Sequence, residues 1–255
     1  MSKPDLDSSN LSEYTTGIQV SLQSAVSGGL NLKTRSREMT PHLAYGRHRG
    51  PIPKRVRRAA VMVAIYRHPD LGWVVPLTLR PMHLDHHPGQ ICFPGGQVES
   101  GEDDFTAAAR EFEEELGCSV VGATRVGKLS SQYVYASNNH VVPVVVVMSR
   151  PDKPWDADPK EVAEVIEFPI DQLTNPKSQV MISHTVMVRS ESANRGKKQE
   201  ISAYTEDTRD LESDTQAGFT FQSPAFQYGG YSIWGATAMM LHELSLHLPK
   251  ADGVG

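Results

Sequence analysis

The chain is poor in cysteine, in aromatic side chains and in positive charge, and each shortage narrows what it can be. Two cysteines, Cys92 and Cys118, in 255 residues do not make a disulfide framework. Both stand in apolar surroundings, which predicts small buried hydrophobes. No apolar run approaches the roughly 18 residues of a membrane-spanning helix. The N-terminus does not read as a signal peptide. Lys and Arg number 25 against 30 Asp and Glu, a net charge of −5. That balance argues against a broad nucleic-acid surface. With 39% hydrophobic residues, one sizeable core is still within reach. The expectation is a cytoplasmic protein that acts on a small molecule and binds neither nucleic acid nor membrane; a homodimer is left open.

What the chain does hold is a glycine pair ahead of a run of carboxylates. Gly95-Gly96-Gln97-Val98-Glu99-Ser100-Gly101-Glu102 leads into Arg110-Glu111-Phe112-Glu113-Glu114-Glu115-Leu116-Gly117. The reading is a glycine turn followed by a helix. The helix starts near Ser100–Asp104, where acidic residues suit the positive dipole end, and Gly117 stops it in a left-handed conformation. A period of 3.6 places Phe105, Ala109, Phe112 and Leu116 on a core stripe. It places Glu111, Glu114 and Glu115 together on another, exposed face, with Ala107 and Ala108 one turn earlier leaving room for a cation or a phosphate oxygen. Like charges at this spacing each cost a helix roughly 0.2–0.5 kcal/mol. A bound Mg²⁺ or Mn²⁺, which prefers carboxylate oxygen, would offset that cost. Arg110 can pair with Glu114 one turn on and reach back to Glu102, holding the loop and orienting the carboxylates.

Gly96, Glu102, Arg110, Glu111, Glu114, Glu115 and Gly117 match the Nudix box, Gly-x5-Glu-x7-Arg-Glu-U-x-Glu-Glu-x-Gly-U with U aliphatic. Phe112 and Cys118 stand at U positions and are apolar without being aliphatic. The chain therefore resembles the Nudix hydrolases. The resemblance implies an α/β fold, an α/β/α sandwich around a central mixed sheet. It also implies hydrolysis of a diphosphate linked to another moiety, with Mg²⁺ or Mn²⁺ as cofactor. Glu111, Glu114 and Glu115 are the expected metal ligands. Glu114, Glu115, Arg110 and Glu102 are the expected catalytic set, with Glu114 or Glu115 as first candidates to take a proton and Glu99 and Glu164 behind them.

The flanks point to a substrate. Leu77-Thr78-Leu79-Arg80 and Gly89-Gln90-Ile91-Cys92-Phe93-Pro94-Gly95-Gly96 are similar to the signature of coenzyme A pyrophosphatases within that superfamily. Pro76, Pro81 and Asp85 depart from it, and Asp85 puts an anion where the signature has a cation. The implied reaction cleaves CoA or an acyl-CoA to a 4′-phosphopantetheine species and adenosine 3′,5′-bisphosphate. Arg80, Gly95 and Gly96 are the implied substrate contacts; Arg80 can equally be an ion pair at a strand end. The alternatives are another nucleoside diphosphate derivative (NADH, ADP-ribose, a nucleotide sugar, a dinucleoside polyphosphate) or a non-catalytic nucleotide-sensing Nudix module.

The chain divides into an N-terminal extension, residues 1–54, partly disordered with a short helix within 11–25, and a Nudix domain, residues 55–250. Arg55, Arg57 and Arg58 before the first strand are either a solvated basic linker or contacts to substrate phosphates. Strands are expected at 59–66, 73–79, 118–126, 141–148, 162–168 and 180–189, with a short one at 219–221. Pro143 marks a strand start or bulge. Residues 170–173 begin a short helix, 191–218 form a polar exposed insertion, and 233–248 form a C-terminal helix burying Ile233, Ala236, Met240, Leu244 and Leu248. Asn138-Asn139 and Gly229-Gly230 read as turns. Tyr231 and Trp234 either stack on an adenine or pack in the core.

Overall fold

The computed structural model describes residues 14–20, 39, 55–84, 87–134, 137–188 and 217–248. The expected order at residues 1–12, Asp85, and the insertion at 191–218 up to residue 216 lie outside the described residues. The strands are β1 (Arg57–His68), β2 (Gly72–Leu79), β3 (Ile91–Cys92), β4 (Gly95–Gln97), β5 (Thr124–Lys128), β6 (Gln132–Val134), β7 (Asn139–Val147), β8 (Glu164–Pro169), β9 (Gln179–Val188), β10 (Ala217–Tyr228) and β11 (Tyr231–Trp234). The helices are α1 (residues 14–20), α2 (Asp104–Leu116) and α3 (Gly235–Ser245), with a 3₁₀ turn at Ile170–Leu173.

β1 is the spine of the fold. Its sequence is apolar at almost every position, as a strand buried on both faces requires. Ala60, Met62, Ala64 and Tyr66 turn to one core with Ala107, Ala108, Phe112 and Leu116 of α2. Ala59, Val63 and Ile65 turn to the other, with Ile18 of α1 and Ala238, Leu241 and Leu244 of α3. β1 runs parallel to β7 from Arg57↔Asn139 to Ile65↔Val147. Its other side is shared: β4 pairs its beginning (Ala59↔Gln97 to Val61↔Gly95) and β2 its end (Tyr66↔Val74 to His68↔Gly72). The main sheet has the order β3-β2-β1-β7-β5, with β4, β6 and β8 attached to β1, β7 and β2. β11-β10-β9 form a second, antiparallel sheet. A mixed sheet between helical layers is the α/β architecture expected from the sequence.

Several local expectations are corrected. The strand expected at 118–126 is β5 at Thr124–Lys128, because residues 118–123 first turn the chain away from α2. Pro143 lies inside β7, and Leu129 N donates to its carbonyl at 3.0 Å. Its missing N–H faces the same side, at the break between β5 and β6, where no ladder bond is lost. The C-terminal helix starts at Gly235, so Ile233 belongs to β11, and residues 237–244 are all buried rather than one stripe. The short strand at 219–221 is part of the twelve-residue β10.

Candidate active site

Local sequence sets the start and stop of α2. Asp103 caps the helix, its carboxylate accepting Thr106 N–H at 2.7 Å. Asp104 opens it and is bound by Arg58 at 2.7 Å and Lys128 at 2.6 Å, which tie the helix start to β1 and β5. At the other end Gly117 takes φ 63° and donates to Glu113 O at 2.9 Å. Asp156 N and Asp158 N then close on Leu116 O and Glu115 O at 3.2 and 3.0 Å. Segment 156–163 thus satisfies carbonyls that the helix end leaves open.

The glycine pair is not in a turn. Gly95 and Gly96 are in β4, hydrogen-bonded beside β1. Gly95 has φ 152°, and a Cβ there would strike Ala60 O and Val61. A Cβ on Gly96 would overlap the carboxylate of Glu111. Glycine at 96 is therefore what lets an α2 carboxylate lie against the β4 backbone.

Arg110 organises the loop. Its Nε and Nη2 donate to the two Glu102 carboxylate oxygens at 2.9 and 3.1 Å, a two-pronged pairing. Nη1 donates to Glu111 at 3.0 Å and to Glu114 at 3.1 Å, and Nη2 also to Gln97 O at 3.0 Å. The Glu102 carboxylate also accepts Glu99 N–H at 2.9 Å. Hydrogen bonds from Arg110 and Glu99 hold Glu102 below the usual carboxylate range.

The three expected metal ligands do not share one exposed face. Glu114 is exposed, Glu111 is half-buried and Glu115 is 3% exposed, turned into the sheet. Ala107 and Ala108 are fully buried in the core against β1 instead of flanking the carboxylates. Phe105 and Ala109 are only partly buried. The buried face thus runs through Ala107, Ala108, Phe112, Glu115 and Leu116, because the small alanines let the helix approach the sheet. Among the described residues no three His, Cys, Asp or Glu side chains converge as a preformed metal cluster. Like charges separate, and Arg110 draws Glu111 and Glu114 to itself.

Glu115 is the unusual member. Burial pushes its carboxyl up to about 8; Arg80 opposes this, Glu161 and Glu111 add to it, and a hydrogen bond from the Gly95 backbone opposes it further. Its Oε2 is buried with no hydrogen-bond partner among the described residues. Burial also raises Glu111, against the pull of Arg110. An orphaned buried carboxylate oxygen beside two further carboxylates is a hard-oxygen donor set that fits Mg²⁺ or Mn²⁺.

Arg80 closes the far side. Its backbone bonds Gln90 O and Gly89 N at 3.0 Å each, pinning the loop that joins β2 to β3. Its charge acts on Glu115 and on Cys92, so the structure brings Arg80, Gly95, Gly96, Glu111 and Glu115 together. Cys92 Sγ lies 3.3 Å from Thr78 Oγ1, and burial followed by Glu115 raises its thiol pKa, which disfavours the reactive thiolate. Glu99 is exposed, and Glu164 is exposed and bound to Tyr231 Oη at 2.5 Å. Trp234 packs against the His184 ring at 3.9 Å. Sequence reasoning missed Glu161 and the Gln97 carbonyl. The spacing from Asp158 carried a weak signal for Glu161; a backbone carbonyl leaves none.

No helix among the described residues is long and apolar enough to cross a membrane. The NUDIX domain family model matches residues 56–189. The chain is 30% identical over 193 residues to proteins named uncharacterized Nudix hydrolase NudL from Salmonella paratyphi B and Salmonella newport, covering 75% of this chain and 83% of each relative. Solved structures with partial likeness include a C. elegans Ap4A hydrolase binary complex, 20% identical at TM-score 0.37 over 44% of this chain and 80% of that one. Another is the Nudix hydrolase RenU from M. smegmatis, 20% identical at TM-score 0.39 over 47% of this chain and 74% of that one. The family rests on the sequence matches and on the box residues gathered around Arg110: the chain belongs to the Nudix hydrolase family.

Proposed function

We propose that the protein hydrolyses the diphosphate of CoA or an acyl-CoA, releasing a 4′-phosphopantetheine species and adenosine 3′,5′-bisphosphate. The observation that carries the reading is the path of residues 77–96. The stretch with the CoA-pyrophosphatase pattern folds as the end of β2, a pinned loop, β3 and β4, and delivers Arg80 and Gly95-Gly96 onto Glu115.

Glu111, Glu114 and Glu115 would hold the Mg²⁺ or Mn²⁺ ions, whose chemistry here is to neutralise diphosphate charge and acidify a water. The protein's own groups do the rest. Arg80 clamps a phosphate through its planar fork. The β4 backbone approaches the phosphates where glycine leaves space. Arg110 keeps Glu102, Glu111 and Glu114 in register. Of the two proton-acceptor candidates, Glu115 has the basicity suited to neutral pH.

The test is a panel of CoA, acetyl-CoA, NADH, ADP-ribose, UDP-glucose and diadenosine tetraphosphate at equal concentration with Mg²⁺ or Mn²⁺, products read by mass spectrometry. Highest kcat/KM on a CoA species supports the proposal. Turnover of another substrate with none on CoA moves the protein to a different Nudix activity. Metal binding with no turnover of any substrate makes it a sensing module.

A further inference from the structure

We infer that Arg57 is a specificity residue that binds a phosphomonoester on the ribose of the substrate, the phosphate that is not hydrolysed. The inference rests on the CoA reading above. Arg57 opens β1 at its pair with Asn139, two residues before Ala59, the partner of Gln97. Gln97 is the residue whose carbonyl Arg110 holds. Three residues along β1, about 10 Å at the rise of a strand, separate Arg57 from Ala60, which pairs with Gly96. An extended arginine closes much of that distance. Its guanidinium is thus one ribose away from the site proposed for the diphosphate.

The surroundings of Arg57 are built and rigid. Its N–H donates to Asn138 O at 3.1 Å and its Nη2 to Ser137 O at 2.8 Å. Asn138 is held at φ 50° by Tyr133 Oη at 2.9 Å, and its Nδ2 donates to Arg55 O at 3.0 Å. One of five guanidinium donors is used by Ser137, which orients the fork and leaves donors for an anion.

Strand alternation separates the neighbouring arginines. Arg58 points towards α2 and is neutralised by Asp104 at 2.7 Å. Arg57 points to the opposite face, away from the α2 carboxylates, and pairs with no carboxylate among the described residues. In a chain of net charge −5, an oriented, exposed and unneutralised guanidinium beside the site suits a dianionic phosphate.

The experiment compares CoA with 3′-dephospho-CoA for wild type, Arg57→Ala and Arg57→Lys. Wild type should prefer CoA, and Arg57→Ala should erase roughly 10- to 100-fold of that preference, the range of a charge-assisted contact. The loss should fall on KM, and Arg57→Lys should recover part of it. Equal slowing on both substrates, or no preference in wild type, overturns the inference. Calorimetry with adenosine 3′,5′-bisphosphate and AMP reads the same contact without turnover. Even if CoA is not the substrate, a 3′-phosphate preference lost in Arg57→Ala supports the inference, and its absence overturns it.

Discussion

At the scale of single residues, burial assigns different tasks to side chains of one type. Glu102 and Glu114 are paired to Arg110, and Glu115 keeps one oxygen without a partner inside the fold. Glu115→Gln should lower kcat/KM by about 100-fold or more, the scale of lost electrostatic stabilisation at a reacting centre. It should also weaken Mn²⁺ binding measured by electron paramagnetic resonance; wild-type-like binding and turnover would remove Glu115 from the site. Arg110→Lys keeps the charge and loses the fork that spans Glu102, Glu111, Glu114 and Gln97 O. We expect it to cost roughly 10-fold or more in kcat with far-ultraviolet circular dichroism unchanged; undiminished kcat would refute the organising role. Gly96→Ala should do comparable damage, because a Cβ there displaces Glu111.

At the scale of elements, the N-terminal helix carries more than its sequence suggests. The reading of 1–54 as an extension came from weak periodicity, since the seven residues of α1 are too few to show a pattern. In the structure Ile18 is fully buried in the core shared with β1 and α3, Tyr14 stacks on Trp73 at 4.0 Å, and Gln19 bonds Arg125 O at 3.0 Å. The helix therefore covers the sheet face opposite α2. Ile18→Ala should destabilise by about 2–5 kcal/mol, as for large-to-small changes in a core. Urea unfolding measures it, and a change under about 0.5 kcal/mol would mean that the helix is dispensable. The box helix was legible because its caps and spacing are local. The errors at β5 and β10 arose where hydrogen-bond partners lie far away in sequence.

At the scale of the whole molecule, buried acid couples stability to pH. Glu243 on α3 is 0% exposed; its Oε1 accepts Ser130 N–H at 2.7 Å, and burial raises its pKa against that bond. A carboxyl whose folded pKa is raised keeps its proton in the fold after the unfolded chain has lost it. Its effect on stability is absent below the ordinary value near 4.5. It grows unfavourable as pH rises from there to the folded pKa and is constant above it. Glu115 acts in the same direction. Thermal melts from pH 4 upwards should show Tm falling faster in wild type than in Glu243→Gln; parallel curves would contradict the assignment.

The reaction class and the fold class were open to reading in one dimension. A helix of period 3.6 between a cap and a glycine stop follows from local backbone chemistry, as do the return of Arg110 to Glu102 and the β-branched run of β7. The face that each carboxylate takes could not be read that way. Glu115 lies inside because Ala107 and Ala108 let α2 settle on β1. Gly95-Gly96 form a strand because β1 offers them an edge, and Arg57 differs from Arg58 because alternation turns one of them away from Asp104. Periodicity specifies angles around a helix or strand axis; the direction of the core is set by which distant strands pack there, and in this protein that separates a neutralised arginine from an exposed one and a solvated carboxylate from a buried one.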